Sequence, residues 1–262
     1  MCYDVSFTVN VRELSDYFPE LRFENQMTID FGMLDHVQGV SVFGDFPIIF
    51  EDKDESILNC QLASWGIIEH YLAEVPGIEK RNGMLNIRAE RILDDPKSYW
   101  YKIRTRRCLI PVTGIFEHRE VVGWTKKVPY WVRPCDQEIT FLPGLRAVAN
   151  IVDKETGELK KMQTFGMITR TANSLMRNIH NSVKNGFRMP LFLPFNMAQE
   201  FVSNKLTDLR YREILNYQIP SEELSYHPTW TIRSSKLRKD NKQKHEPFEW
   251  ENLPELGEMN PV

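Results

Sequence analysis

Residues 108–120 read CLIPVTGIFEHRE. Apolar and β-branched side chains run from Cys108 to Phe116 around Gly114, and two titratable residues, Glu117 and His118, follow at once. Such a run, rich in Val, Ile and Phe and bounded by charged residues, reads as a strand. Segments of the same kind flank it on both sides: VSVFGDFPIIF at 40–50, LNCQLASWGII at 58–68, VPYWVRP at 128–134, EITFLPGLRAVANIV at 138–152 and MQTFGMITRTA at 162–172. Helical patterns are fewer. NVRELSDYF carries Asn10 as N-cap and Glu13 three residues on, the two halves of a capping box. DDPKSYWYKIRTRR at 94–107 opens on Asp and Pro, TANSLMRNIHN at 171–181 makes a turn or two, and 196–216 has the spacing of one or two amphipathic helices. Strands and helices do not alternate as βαβ units, so the class expected is α+β with a largely antiparallel sheet.

The chain has 262 residues, 42% of them apolar and 26% charged, enough for a full core without a staple. No apolar run approaches the ~20 residues of a membrane span, and the N-terminus lacks a basic region followed by an apolar one. A cytoplasmic protein without a membrane partner is expected. Cys2, Cys60, Cys108 and Cys135 show neither zinc-ligand nor disulfide spacing. A net charge of −3 excludes a protein that coats nucleic acid indiscriminately but leaves room for a local basic groove. Its candidates are Arg104, Arg106, Arg107, Lys126, Lys127, Arg170, Arg177, Lys184 and Arg188. No linker or repeat divides the chain, so one domain is expected over 1–235. Residues 236–262, polar and proline-punctuated, read as a tail lying on the body or partly disordered.

Four places offer chemistry. Cys2 follows the initiator methionine, so one cut would leave an α-amine beside its thiol, and the two groups titrate near ~7.7–8 and ~8.5 when unperturbed. That 1,2-aminothiol serves as an N-terminal nucleophile or traps an aldehyde as imine and then thiazolidine. Asn86 and Arg88 place an amide and a guanidinium in NIRAERI. Glu117 ends an apolar strand, where burial would suit it to acid/base work, or reaches solvent. His180 closes a helical pattern ahead of Arg188-Met189-Pro190 and carries the imidazole best suited to proton transfer near neutrality.

In this order, Met-Cys, then Asn-x-Arg-x-Glu, then Cys-Leu-Ile-Pro-x-x-Gly-x-x-Glu, then His and Arg-Met-Pro, the chain resembles the SRAP family of SOS response-associated peptidases, or abasic site processing proteins. SWGII with Trp65, KKVPYWV and SYHP with His227 add to the likeness, which spans Cys2 to about Pro228. The resemblance implies a single domain with a β-barrel-like core, flanking helices and a groove for single-stranded DNA. It implies that Cys2, freed of Met1, closes a thiazolidine on the aldehyde of an abasic site and so crosslinks protein to DNA, with an associated autopeptidase step. Asn86 would hold Cys2 and the sugar, Glu117 would be the acid/base carboxylate, and His180 would aid ring opening. Arg88 and Arg188 would meet phosphates, with Trp65 and His118 also on the DNA side. The implied partner is abasic single-stranded DNA; neither metal nor other cofactor is implied, and a monomer is expected.

Departures from the family pattern are specific. Tyr3 and Asp4 stand where members commonly have Gly-Arg, and Asp4 would repel a phosphate. His118 replaces a Trp that wedges bases, and NSVKNGF lengthens the link from His180 to Arg188. Two other readings follow from the residues: an N-terminal-nucleophile cysteine peptidase or amidase that does not act on DNA, and a non-catalytic nucleic-acid-binding module.

Overall fold

The apolar run around Gly114 folds as two strands, Arg107–Val112 and Gly114–Arg119, which enter different sheets. Close packing at the junction requires the glycine: a Cβ at Gly114 would lie 2.3 Å from the Trp131 indole. The computed structural model describes residues 2–24, 33–53, 56–153, 155–182, 186–234, 238 and 240–261. Among them the strands are β1 (Asp4–Phe7), β2 (Arg22–Phe23), β3 (Leu34–Gln38), β4 (Asp45–Glu51), β5 (Leu58–Trp65), β6 (Asn86–Arg88), β7 (Arg107–Val112), β8 (Gly114–Arg119), β9 (Val128–Pro134), β10 (Thr140–Val152), β11 (Leu159–Thr171), β12 (Arg188–Pro190) and β13 (Leu224–Pro228). The helices are α1 (Leu14–Tyr17), α2 (Ile78–Asn82), α3 (Glu90–Leu93), α4 (Tyr99–Lys102), α5 (Ser174–Ile179), α6 (Phe195–Val202) and α7 (Asp208–Asn216). The class is α+β, and the strand pairings are largely antiparallel.

A barrel forms the core. Strands β11, β10, β7, β4 and β5 pair in turn and antiparallel, and the ring closes through a parallel pairing of β5 with β11, Thr164 opposite Ser64 and Phe165 opposite Trp65. Closure puts Trp65 inside, 1% exposed, stacked on Phe165 with centroids 5.8 Å apart and its indole N–H donating to the Leu85 carbonyl. A second sheet, in the order β13-β9-β8-β1-β3, is antiparallel throughout. Beyond the barrel, β11 also carries β6 in parallel and β12 antiparallel.

The capping box at Asn10 forms as expected: Asn10 accepts from the Arg12 amide, and Glu13 accepts from the Asn10 amide at 2.8 Å. Residues 94–107 give only the four-residue α4, capped by Ser98, instead of one longer helix. Residues 196–216 split into α6 and α7 because Thr207 caps the second, accepting from the Arg210 amide. Beyond residue 236 the described part of the chain packs on the body. Fully buried Arg119 donates to the carbonyls of Pro254, Glu255 and Glu258, and Trp250 stacks on Trp230. Among the described residues no helix is long and apolar enough to cross a membrane.

Candidate functional site

Four chain segments converge beside the barrel. Strand β1 pairs with β8, Asp4 opposite Phe116, so the chain just before Asp4 runs alongside Glu117. Strand β6 sets Asn86 level with Met167 on β11. His180 is the C-cap of α5, its amide donating to Met176, and it precedes β12.

Their side chains meet in a buried cluster. Asn86 donates its amide to the Cys2 carbonyl at 2.9 Å, which fixes the start of the chain. The His180 Nδ1 lies 3.2 Å from a Glu117 carboxyl oxygen and 2.9 Å from the Arg188 carbonyl, which orients the ring. Donor atoms of Cys2, Glu117 and His180 all lie within 4.8 Å of one another. Cys2 is fully buried, Glu117 and His180 are 3% exposed and Asn86 is 9% exposed. Burial, and then the charge of Glu117, pushes the Cys2 thiol well above its ordinary range. Burial likewise holds the His180 imidazole below its usual value, against the pull of Glu117. Near pH 7 the site thus presents a neutral thiol and a neutral imidazole to a buried carboxyl group. Two acceptors in it, Asn86 Oδ1 and Glu117 Oε1, are buried and have no hydrogen-bond partner among the described residues. Buried acceptors are seldom left unsatisfied, and here they mark where a donor-bearing ligand would sit.

The residues expected on the DNA side separate. Arg88 is exposed at the end of β6, and His118 is half-buried beside Glu117, its imidazole held low by burial. Arg188 is buried and chelated by Glu90 at 2.7 and 3.0 Å, with a further bond to the Thr169 carbonyl. It braces β12 and does not present a free guanidinium. Trp65, also expected on the DNA side, is a barrel residue whose ring is buried against Phe165. Of the other basic candidates, Arg107 and Arg170 donate to backbone carbonyls while Lys126 and Arg177 are exposed. Lys184 lies outside the described residues, as does part of the lengthened link before Arg188.

Asp4 also differs from expectation. It is buried, with His36 at 2.8 Å and Arg233 chelating both oxygens. Burial alone would raise its carboxyl, but the hydrogen bonds from His36 and Arg233 outweigh that and hold it below the ordinary carboxylate range. The charge is paired internally with Arg233, and the carboxylate is not presented to solvent. Sequence reading missed His36 and Arg233, which lie 32 and 229 residues away. It also missed Asn181, whose side chain bonds both the N–H and the C=O of Glu120 at 2.8 Å and ties the end of α5 to β8. The position of Asn181 next to His180 was the available signal.

Comparison with known proteins gives one family. A family model described as SOS response associated peptidase (SRAP) matches residues 1–232. No curated protein matches the chain. Among solved structures, a protein from Bacteroides thetaiotaomicron is similar at TM-score 0.69 and 24% identity, over 94% of this chain and 97% of that one. A phage-related protein from Bordetella bronchiseptica is similar at TM-score 0.61 and 18% identity, over 88% and 95% of the two chains. A further protein from that organism gives 0.62 and 17%, over 88% and 100%. At these identities the structures attest the shared fold.

Proposed function

The chain belongs to the SOS response associated peptidase family, and from that premise we propose that it captures abasic sites in single-stranded DNA through Cys2 after Met1 is removed. The observation that carries the reading is the buried grouping of Cys2 with Asn86, Glu117 and His180, in which Asn86 holds the Cys2 backbone.

The chemistry follows from the protonation states. Hydrolysis of the Met1–Cys2 peptide bond frees the α-amine of Cys2. That amine attacks the aldehyde carbon of the ring-opened sugar, the resulting carbinolamine loses water, and an imine forms. The thiol then adds across the C=N bond, its sulfur to carbon and its proton to nitrogen, which closes the thiazolidine without external oxidant or reductant. A thiol held neutral by burial is a poor first nucleophile, so the amine leads and the sulfur follows. Sugar ring opening and water loss both need a proton shuttle, which a carboxyl and a neutral imidazole 3.2 Å apart can divide between them. Asn86 Oδ1 and Glu117 Oε1 offer acceptors to the amine and the sugar hydroxyls. Single-stranded substrate suits a buried nucleophile, because in a duplex the stacked neighbours would first have to be displaced.

The test is a denaturing gel of the protein with an abasic single-stranded oligonucleotide, beside an undamaged strand and a Cys2→Ser control, with the state of Met1 read by intact mass. A Cys2-dependent band on the abasic strand alone is the expected result. No band from protein that has lost Met1 would refute the reading, and turnover of peptide substrates by that protein would favour an amidase in its place.

A further inference from the structure

Away from the Cys2 cluster, a concavity of about 560 Å3 opens at one end of the barrel strands. Its wall is built from the outer ends of β10 and β11, with Arg106, Arg146, Lys53 and Lys161 among its lining and no carboxylate among the described lining residues. In a chain of net charge −3 this is an unusual concentration of positive charge. None of the four cationic side chains makes a hydrogen bond or ion pair among the described residues, although Asp52 attracts Arg146. Arg146 is half-buried with its guanidinium 3.7 Å from the Phe50 ring centre, and its Nε is buried without a partner. Gln163 Oε1, in the same wall, is also buried and unsatisfied. Like charges gathered in one wall repel one another, so four cations with none of their side chains in an ion pair among the described residues fit an anion.

The lining continues into an aromatic cluster. His70, itself in the wall, stacks on Tyr99 at 6.0 Å, and next to it Tyr71 is 64% exposed and packs T-shaped with Tyr99. Cations that track phosphates beside exposed aromatic faces are the recognition pattern of single-stranded nucleic acid, whose bases stack without sequence preference. Gln163 lies four residues along β11 from Met167, the partner of Asn86, or about 13 Å at the rise of a strand.

We propose that this concavity is a second contact surface for single-stranded nucleic acid, in which Arg106, Arg146, Lys53 and Lys161 bind phosphates and Tyr71 stacks on a base. The inference deepens the proposed function in naming where the strand runs beyond the reacting sugar, but strand binding here does not depend on the chemistry at Cys2.

The experiment uses full-length Cys2→Ser protein and a fluorescent, undamaged oligothymidylate, followed by anisotropy across a salt series. Four phosphate contacts give a log–log salt slope of about −2.8, at 0.7 per phosphate. Arg106→Gln with Arg146→Gln should flatten the slope by about 1.4, and Lys53→Ser with Lys161→Ser, all-surface changes that leave the fold intact, should do the same. Tyr71→Ala should weaken binding about tenfold with the slope unchanged. In the Cys2-bearing chain, crosslinking to an abasic oligonucleotide too short to leave the site should be unaffected by all these changes. Unchanged affinity and slope in both charge variants would overturn the proposal even if crosslinking is seen. Saturable binding of free ATP that the charge variants abolish, with strand affinity unmoved, would overturn it in favour of a nucleotide site. Loss of strand binding in the charge variants, together with no crosslinking by the Cys2 chain, would uphold the surface and refute the capture reaction.

Discussion

Glu117→Gln isolates the carboxyl group from the space it fills. Glu117 is 3% exposed, with one oxygen 3.2 Å from His180 and the other buried without a partner. Gln has the same shape, so the core and the Asn86 bond to Cys2 should persist; what is lost is a group that gives and takes a proton. Positioned acid/base groups contribute about 10²–10⁴-fold to rate. His180 remains as a second carrier, so the lower end applies: about 10²-fold, or about 2.7 kcal/mol of barrier. Met1 loss followed by intact mass, and crosslinking and its reversal followed on gels, should each slow by that factor. Binding of undamaged single strand should change less than twofold. Equal losses in all assays would mean that the substitution damages the fold. Rates within about threefold of the parent would refute a proton-transfer role for Glu117 and leave His180 as the principal shuttle.

Other perturbations separate structure from chemistry. Asp4→Asn removes a buried charge paired with His36 and Arg233; Arg233 is 39% exposed on its side chain and can be rehydrated, so a loss of about 2 kcal/mol is expected in a urea titration, below the ~3–5 kcal/mol of fully buried pairs. DNA affinity should not rise, and a clear gain would show that Asp4 does repel the strand. Gly114→Ala forces a methyl to 2.3 Å from an indole whose N–H is bonded to Ser6 Oγ at 2.9 Å, so a cost of about 3 kcal/mol is expected in the same titration, and a neutral result would contradict the packing at the β7–β8 junction. For pH, His118, His180 and His227 all have their imidazoles held low, with burial as the first cause. The unfolded chain then binds more protons than the native one below about pH 6.5, so stability falls as pH drops through that value, and the depressed Asp4 carboxyl adds a second loss below about pH 4. A melting temperature flat from pH 7 to pH 4 would refute these directions.

The barrel strands were legible because each carries a dense β-branched and aromatic run, and the first helix cap because Asn10 acts on a neighbour two residues away. Of the candidate catalytic residues, Cys2, Asn86, Glu117 and His180 all fall in one cluster, but the sequence order that linked them came from a family pattern and not from spacing. What pattern could not convey was burial and pairing across distance. Trp65 and Arg188 carry motif-like neighbours, yet one is consumed by barrel closure and the other by Glu90. Asp4 looked like a repulsive charge because Arg233, the group that cancels it, lies 229 residues on.

The parallel pairing of β5 with β11 has a kinetic consequence. It joins Ser64 to Thr164 across about a hundred residues, and β11 is also the strand on which β6 and β12 are laid. A contact of such sequence separation is formed late, since its loop entropy must be met before the pairing rewards it. Asn86 and the carbonyl that orients His180 lie on the two strands laid on β11, so the Cys2 cluster is expected to assemble only after β11 is seated. Refolding followed by tryptophan emission and Met1 loss followed by mass should consequently show the second process lagging the first, never preceding it.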